Sequence, residues 1–296
     1  MAIDMPCKLC ADDLLVKGFL YMSEVFQWQE KDLQRLIDNC PDEPVTPYIY
    51  HYFAPGSTLL ESGCGSGRFV YYLASKGFDI TGLELGGETV HMLNQIFPNL
   101  DIRQGDVSAL PFLDDHFDGI LSLGVIEHIP EGTELSVAEM FRVLKTGGYA
   151  LVIVPSWNLI RRIKYLTGIY HLHALLAMIG RNPSIRAFFR KPPLIRNGEY
   201  NVNYRREFRR WPVFGDFFEY RYTPQQFESM LQNAGFTLIE SVPVSLIDGI
   251  YHEFGRCLVP LRDHRFYPGI LGKLLNRVLS DIPFCHNHMH LCVVRK

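Results

Sequence analysis

From Ser57 onward the chain alternates short apolar runs with amphipathic stretches. Apolar runs at Thr58–Ser62, Asp79–Glu84, Asp101–Gln104, Gly119–Leu123 and Tyr149–Val154 predict strands. Between them, apolar positions at helical spacing predict helices over Arg68–Lys76, Glu88–Phe97 and Val137–Leu144. Gly77, Pro98 and Gly147-Gly148 stand where those helices should stop. Strand and helix alternating through short connections imply right-handed crossovers and a parallel sheet. Farther on, Thr223-Pro224-Gln225-Gln226 reads as a capped helix start, with Thr at the N-cap, Pro at N1 and Gln at N3. Gly235 ends that helix, strand Phe236–Val242 follows, and His290–Val294 predicts a last strand.

Two regions break the alternation. Residues 1–55 read as helical and aromatic: Leu14, Leu15, Phe19, Tyr21, Phe26 and Trp28, then Leu33, Leu36 and Ile37 at helical spacing. Pro41, Pro44 and Pro47 interrupt them before the first strand. Between Ser156 and Tyr222 apolar positions recur at helical spacing: Trp157, Ile160, Ile163 and Leu166, then Leu172, Leu175, Leu176 and Ile179. The plan is therefore an N-terminal helical segment over 1–56, an α/β core over 57–155, an inserted helical segment over 156–221, and the rest of the core over 222–296 with an insertion before the last strand.

Candidate chemistry sits at the first strand's carboxyl end. Glu61-Ser62-Gly63-Cys64-Gly65-Ser66-Gly67 places three glycines at alternate positions between a strand and a helix. Glycine permits the sharp turn and lets a ligand approach where a Cβ would stand. The helix that follows offers unpaired N–H groups and a partial positive charge. A dinucleotide fingerprint needs G-x-G-x-x-G, but Arg68 occupies the place of its third glycine. The carboxylate of Glu61 would repel a pyrophosphate and attract a cationic ligand, such as a sulfonium bearing an amino-acid group.

An acidic residue followed by G-x-G-x-G resembles the first motif of the class I S-adenosylmethionine (SAM) dependent methyltransferases, of the type-11, ubiquinone-biosynthesis-like small-molecule kind. Leu110-Pro111-Phe112, Phe117-Asp118 and Val143-Leu144-Lys145-Thr146-Gly147-Gly148 also match that family's pattern, and the resemblance covers roughly residues 57–155 and 222–296. It implies a Rossmann-like seven-stranded, mostly parallel sheet with helices on both faces, and His290–Val294 as an antiparallel partner at the sheet edge. It also implies SAM as the cofactor and S-adenosyl-homocysteine as its product. Glu61, Gly63, Cys64, Gly65 and Gly67 would then hold the amino-acid end. Glu84, with Leu85 beside it, would accept the ribose hydroxyls. Asp106 would accept from the adenine amino group and Val107 flank the ring, with a helix or turn cap as the other reading of Asp106. Leu123 and Gly124 would line the methionine part.

Methyl transfer is an in-line displacement with an excellent neutral leaving group, so the protein mainly aligns the partners and excludes water. A base is needed only where the acceptor must lose a proton. His128 is the candidate by position, with Glu127-His128 as a loop-supporting pair the other reading. Metal-dependent relatives that methylate small RNAs carry a further Glu three residues before such a Glu-His pair, but Gly124 stands there; no metal is expected. Tyr21, Trp28 and Glu127 are candidate acceptor contacts, because N-terminal helices in the family often close over the site. The bland reading packs those helices on the core.

Composition sharpens the acceptor question. The chain has 296 residues, 47% hydrophobic and 21% charged, with no apolar run near a membrane span. Seven cysteines and an N-terminus without signal-peptide character lead to the expectation of a reduced, cytoplasmic protein. Cys7-x-x-Cys10 lacks a second paired cluster, so zinc is not expected from it. The net charge of −3 conceals an asymmetry: Ser156–Tyr222 carries thirteen basic against four acidic residues, net +9, leaving −12 elsewhere. Such a basic, Trp-containing helical segment suits a solvated lid or a peripheral membrane contact, whereas the acidic remainder argues against nucleic acid. The expectation is a SAM-dependent methyltransferase for a small, perhaps lipid- or quinone-like acceptor. Its rival is a SAM-binding regulatory or scaffolding subunit. Neither acceptor atom nor oligomeric state is legible.

Overall fold

The computed structural model describes residues 30–129, 133–167, 219–254, 258–262 and 265–296. Helices α1 (Glu30–Asn39) and α2 (Thr46–Tyr52) precede strand β1 (Thr58–Ser62). Then follow α3 (Arg68–Ala74), β2 (Asp79–Glu84), α4 (Gly87–Ile96), β3 (Asp101–Gln104), β4 (Phe117–Leu123), α5 (Glu134–Val143) and β5 (Leu144–Pro155). Beyond β5 lie α6 (Leu159–Leu166), α7 (Pro224–Asn233), β6 (Thr237–Val244) and α8 (Leu246–Phe254). A two-residue ladder of β7 (Leu261–Arg262) and β8 (Arg265–Phe266), then α9 (Ile270–Leu279) and β9 (Met289–Arg295), complete the described chain.

The seven-stranded sheet has the order β3-β2-β1-β4-β5-β9-β6. β1 to β5 pair in parallel, and β9 is antiparallel to both of its neighbours. This is the expected doubly wound, Rossmann-like sheet, with one correction. The last strand is not at the edge but fills the slot between β5 and β6, and β6 is the edge. The reason is burial: Leu291, Cys292, Val293 and Val294 are fully buried, so both faces of β9 need cover that an edge cannot give.

Alternation along the strands explains the layering. Leu59, Leu121, Leu151, Leu291 and Val293 face one core, closed by Val70 and Leu73 of α3 and Leu93 of α4. Leu60, Ile120, Val152, Cys292 and Val294 face the other, closed by α5 and α7 through Val137, Met140, Phe227 and Leu231. Leu33 and Ile37 of α1 and Ile49 of α2 belong to the first core. The described part of the N-terminal segment is thus a structural layer, while Tyr21 and Trp28 lie outside the described residues. The same is true of residues 168–218, most of the basic segment.

Local chemistry sets the boundaries. Thr223 caps α7 in a full capping box with Gln226. The Gly147-Gly148 pair does not end the preceding element as expected, because β5 already begins at Leu144. The Gly147 N–H donates to the Lys296 carbonyl and the Lys296 N–H to the Gly148 carbonyl, which fastens this stretch to the chain's end. In such a sheet a crevice opens at the carboxyl edge where the strand order reverses, between β1 and β4.

Candidate functional site

The glycine loop is shaped by its backbone. Gly63, Gly65 and Gly67 have φ of +83°, +53° and +68°, the left-handed region that favours glycine. A Cβ on Gly63 would lie 2.4 Å from the Val125 side chain, so this loop and the one after β4 touch at that point. The Gly63 and Cys64 N–H groups donate to the Leu83 carbonyl at 2.9 and 2.8 Å, anchoring the loop to β2. The cradle is therefore one a side chain would fill, and it fits a ligand pressed against bare backbone.

Glu84 ends β2, and its carboxylate accepts the N–H groups of Gly65 and Gly86, each at 2.9 Å. It is half-buried at the rim of the loop with Leu85 beside it. Asp106 is exposed, and its Oδ1 accepts the Ser108 N–H at 2.7 Å, so it also caps its own turn. Val107 next to it is half-buried against the second core. These residues end neighbouring strands of a parallel sheet and share its carboxyl edge.

Glu61 behaves differently from a surface ligand. It is buried, its carboxylate takes the Val70 backbone N–H, and Arg68 lies close enough to act on its charge. Burial nevertheless dominates and pushes its pKa up to about 8. Arg68 in turn pairs with Glu43 at 2.5 Å, tying the start of α3 to the turn between α1 and α2. Cys64 is buried and its thiol is pushed well above the ordinary range by the same desolvation.

Beyond β4, Leu123 and Gly124 (φ +76°) lead into a 3-10 turn, Ile126–His128. The Glu127 carboxylate is buried, with one oxygen lacking any partner among the described residues. Burial raises its pKa well above the ordinary value. His128 Nε2 lies 3.8 Å from it. On the other side the Tyr220 N–H donates to the Glu127 carbonyl at 2.8 Å, which brings Glu219 alongside. Burial opposes ionisation of Glu219, but Arg221, His128 and Arg161 outweigh it and hold its pKa low. His128 is therefore near two buried carboxyl groups whose pKa values burial and charge push in opposite directions.

A second polar cluster was not foreseen from the sequence. Arg161 and Glu253 are each only 2% exposed in their side chains and pair at 2.5 Å, joining α6 to α8. Lys164 reaches the other Glu253 oxygen at 2.9 Å. Arg161 also bonds the His288 ring, which stacks on His252 with centroids 4.1 Å apart and planes within 7°. Asp248 lies 3.1 Å from His252 and 3.8 Å from His288. Asp248, His252 and His288 bring ligand-type atoms together. Nearly parallel rings cannot both aim lone pairs at one ion, however, and Arg161 adds positive charge. The spacing Asp248-x-x-x-His252, one helical turn, is the sequence signal that would have found half of this cluster. It borders the site, since Met289 pairs with Pro155 at the end of β5 and its methyl group lies 3.7 Å from where a Gly124 Cβ would be.

Comparison with known proteins agrees with this architecture. Residues 60–152 match the family model described as a methyltransferase domain. A probable S-adenosylmethionine-dependent methyltransferase of Mycolicibacterium smegmatis is 36% identical over 101 residues, covering 34% of this chain and 39% of that protein. A 2-methyl-6-phytyl-1,4-hydroquinone methyltransferase of Synechocystis is 32% identical over 108 residues, covering 35% of this chain and 33% of that one. The chain thus spans about two fifths or less of the length of these curated relatives. In fold it is similar to a SAM-dependent methyltransferase of Methanosarcina mazei, with a TM-score of 0.52 at 18% identity over 84% of this chain and 97% of the other. A further SAM-dependent methyltransferase, from Archaeoglobus fulgidus, gives 0.51 at 13% identity over 94% and 99%.

Proposed function

Because residues 60–152 form a class I SAM-dependent methyltransferase domain, with SAM as the cofactor, we propose that this protein transfers the methyl group of SAM to a small, apolar acceptor of the hydroquinone or lipid-phenol class. The observation that carries the cofactor side is the meeting of the glycine cradle with the Glu84 carboxylate, which fixes Gly65 at 2.9 Å. The acceptor class is suggested by the hydroquinone-methylating relative. SAM supplies an activated methyl on a sulfonium; the protein's own residues do the rest.

In this reading Gly63, Cys64, Gly65 and Gly67 present backbone to the amino-acid end, and buried Glu61 stands at the start of the loop. Glu84 and Leu85 receive the ribose, Asp106 and Val107 the adenine, and Leu123 and Gly124 line the approach to the methyl. His128, close to Glu127 and Glu219, accepts the acceptor's hydroxyl proton. Arg161 and His288 form part of the acceptor wall.

The test follows label from methyl-tritiated SAM into fractionated cell extract, with Glu84→Ala as the blank. Glu84-dependent label in the organic phase is the expected result. Label confined to polar small molecules would overturn the acceptor class. SAM binding with no Glu84-dependent label in any fraction would overturn the enzyme reading in favour of a regulatory subunit.

A further inference from the structure

Two described helices are amphipathic the wrong way round for a self-contained protein. In α9 the exposed positions are Ile270 (88%), Leu271 (67%), Leu274 (56%) and Val278 (62%). At about 100° per residue these four fall within one sector roughly 100° wide. Lys273 and Arg277 are exposed and flank that sector on one side, and neither pairs with an acid among the described residues. Gly272, on the opposite side, is buried; a Cβ there would lie 2.4 Å from the Leu258 carbonyl oxygen. The helix therefore packs through its small residue and turns its large ones outward.

Helix α6 repeats the design. Leu159, Ile163 and Leu166 are exposed on one face, whereas Arg161 is buried on the other, paired with Glu253. Arg162, exposed, flanks the apolar face. Neither helix contains an acidic residue. α6 packs against the 3-10 turn Pro283–Cys285 that follows α9, and Ile282 and Phe284 at that turn are exposed as well. The apolar row therefore continues from one helix to the other. It lies along the sheet's carboxyl edge, because α6 starts soon after Pro155 and the turn leads into Met289, its partner across the sheet.

We infer that α6, the turn at 283–285 and α9 form a face that seats on an anionic lipid surface. Apolar sectors on two acid-free helices bordered by Lys and Arg, with exposed Asp281 the one acid between α9 and the turn, are what an interfacial face needs, apolar side chains in the acyl boundary and cations at the head groups. At 1.5 Å per residue α9 is only about 15 Å long, so it lies in the interface and does not cross it. No helix among the described residues is long and apolar enough to cross a membrane. The charges select lipid over a neutral protein groove or a second copy, which would bring the same cations face to face. Docking there places the proposed acceptor site next to the bilayer, so this inference deepens the apolar-acceptor reading; the docking itself needs no turnover.

The experiment is co-sedimentation of the full chain at low salt with vesicles of equal parts phosphatidylcholine and phosphatidylglycerol, and with phosphatidylcholine alone. The wild type is expected to sediment with the anionic vesicles and weakly with the neutral ones. Leu271→Glu/Leu274→Glu should cut partitioning about a hundredfold, taking roughly tenfold for each lost apolar anchor. Lys273→Gln/Arg277→Gln should lose the preference for anionic lipid. Both variants should keep the wild-type melting temperature and SAM affinity. Wild type left in the supernatant, or a Glu variant that sediments equally well, would overturn the inference. A Glu variant with a lowered melting temperature would show the face covered by the chain itself, and one that turns a dimer into a monomer would assign it to a second copy. Each outcome is read without methyl transfer, so an inactive enzyme that binds vesicles sinks only the functional proposal.

Discussion

The Glu84 carboxylate holds the Gly65 N–H at 2.9 Å, so the end of the second strand and the middle of the glycine loop are one unit. The same carboxylate also takes the Gly86 N–H at 2.9 Å. It serves the fold before any ligand arrives and is half-exposed at the rim, where a diol would meet it. Two charge-assisted hydrogen bonds to a ligand are each worth about 1.5–3 kcal/mol. Glu84→Ala should therefore weaken SAM binding by roughly a hundredfold or more, read by titration calorimetry. Glu84→Gln, which keeps an acceptor oxygen, should fall between. Equal affinity of wild type and Glu84→Ala would remove Glu84 from the site.

The contact between Gly63 and Val125 makes a second prediction. Gly63→Ala puts a Cβ 2.4 Å from a Val125 methyl and leaves a β-carbon residue at φ +83°. The backbone part alone costs about 1–2 kcal/mol, and the clash displaces the loop after β4. Gly63→Ala should lower the melting temperature and abolish SAM binding. Adding Val125→Ala should recover part of the stability and little of the binding, since it clears the clash but not the backbone strain. Full recovery of both would mean that the left-handed conformation is not needed.

Much of the core was legible because its signals are local. The bounds of β1, β2 and β3 fall where apolar runs meet glycine, proline and acid, and the Thr223 cap was spelled out by Thr-Pro-Gln-Gln. The sheet position of β9 was not legible, since pairing between distant strands leaves no local mark; only the continuous apolar run from Leu291 to Val294 hinted at burial on both faces. The start of α5 was set three residues too late, at Val137, because Glu134 and Leu135 carry no inward apolar signal. Helices α8 and α9 were passed over as an insertion, and the apolar face of α6 suited either a lid on the core or a membrane contact. In the structure Arg161 is the buried residue and Ile163 and Leu166 are out, an inversion that periodicity alone cannot reveal. Glu219, Arg221 and His288 meet only through the fold.

Protonation of Glu61 gives a pH prediction with a definite sign. Its pKa rises on folding from the ordinary 4.5 to about 8. The folded state then binds a proton that the unfolded state has lost, and stability falls as pH rises through that interval. Buried His290 works oppositely but is finished above 6.5, since its folded value is lowered to about 4. Glu219 and Glu253, whose values are lowered, act only below the ordinary carboxylate range. Between pH 6.5 and 8 the wild type should therefore lose stability, by up to about 1.4 kcal/mol per pH unit for this one proton. Glu61→Gln should flatten the profile, leaving the part due to Glu127, which shifts the same way. Urea unfolding at several pH values measures it; identical slopes would show that Glu61 ionises freely.

The Arg161–Glu253 pair ties α6 to α8 with both side chains 2% exposed. Burial opposes the Glu253 charge, yet Arg161 and Lys164 hold its pKa below the ordinary range, so the pair is ionised. Removing one member leaves a buried charge without its counter-ion, which costs about 3–5 kcal/mol, whereas replacing both by apolar groups of similar volume is often neutral. Arg161→Met should thus destabilise strongly. Glu253→Leu should cost less than Arg161→Met, because Lys164, itself partly exposed, can turn to solvent and Arg161 still bonds the Ser156 and His288 carbonyl oxygens. Arg161→Met/Glu253→Leu should recover most of the loss. A double-mutant cycle by urea unfolding reads the coupling directly, and a strictly additive result would mean that the pair does not hold the two helices together. If it does, the double variant should also keep SAM affinity, because the glycine loop and Glu84 end β1 and β2, which β4 separates from β5.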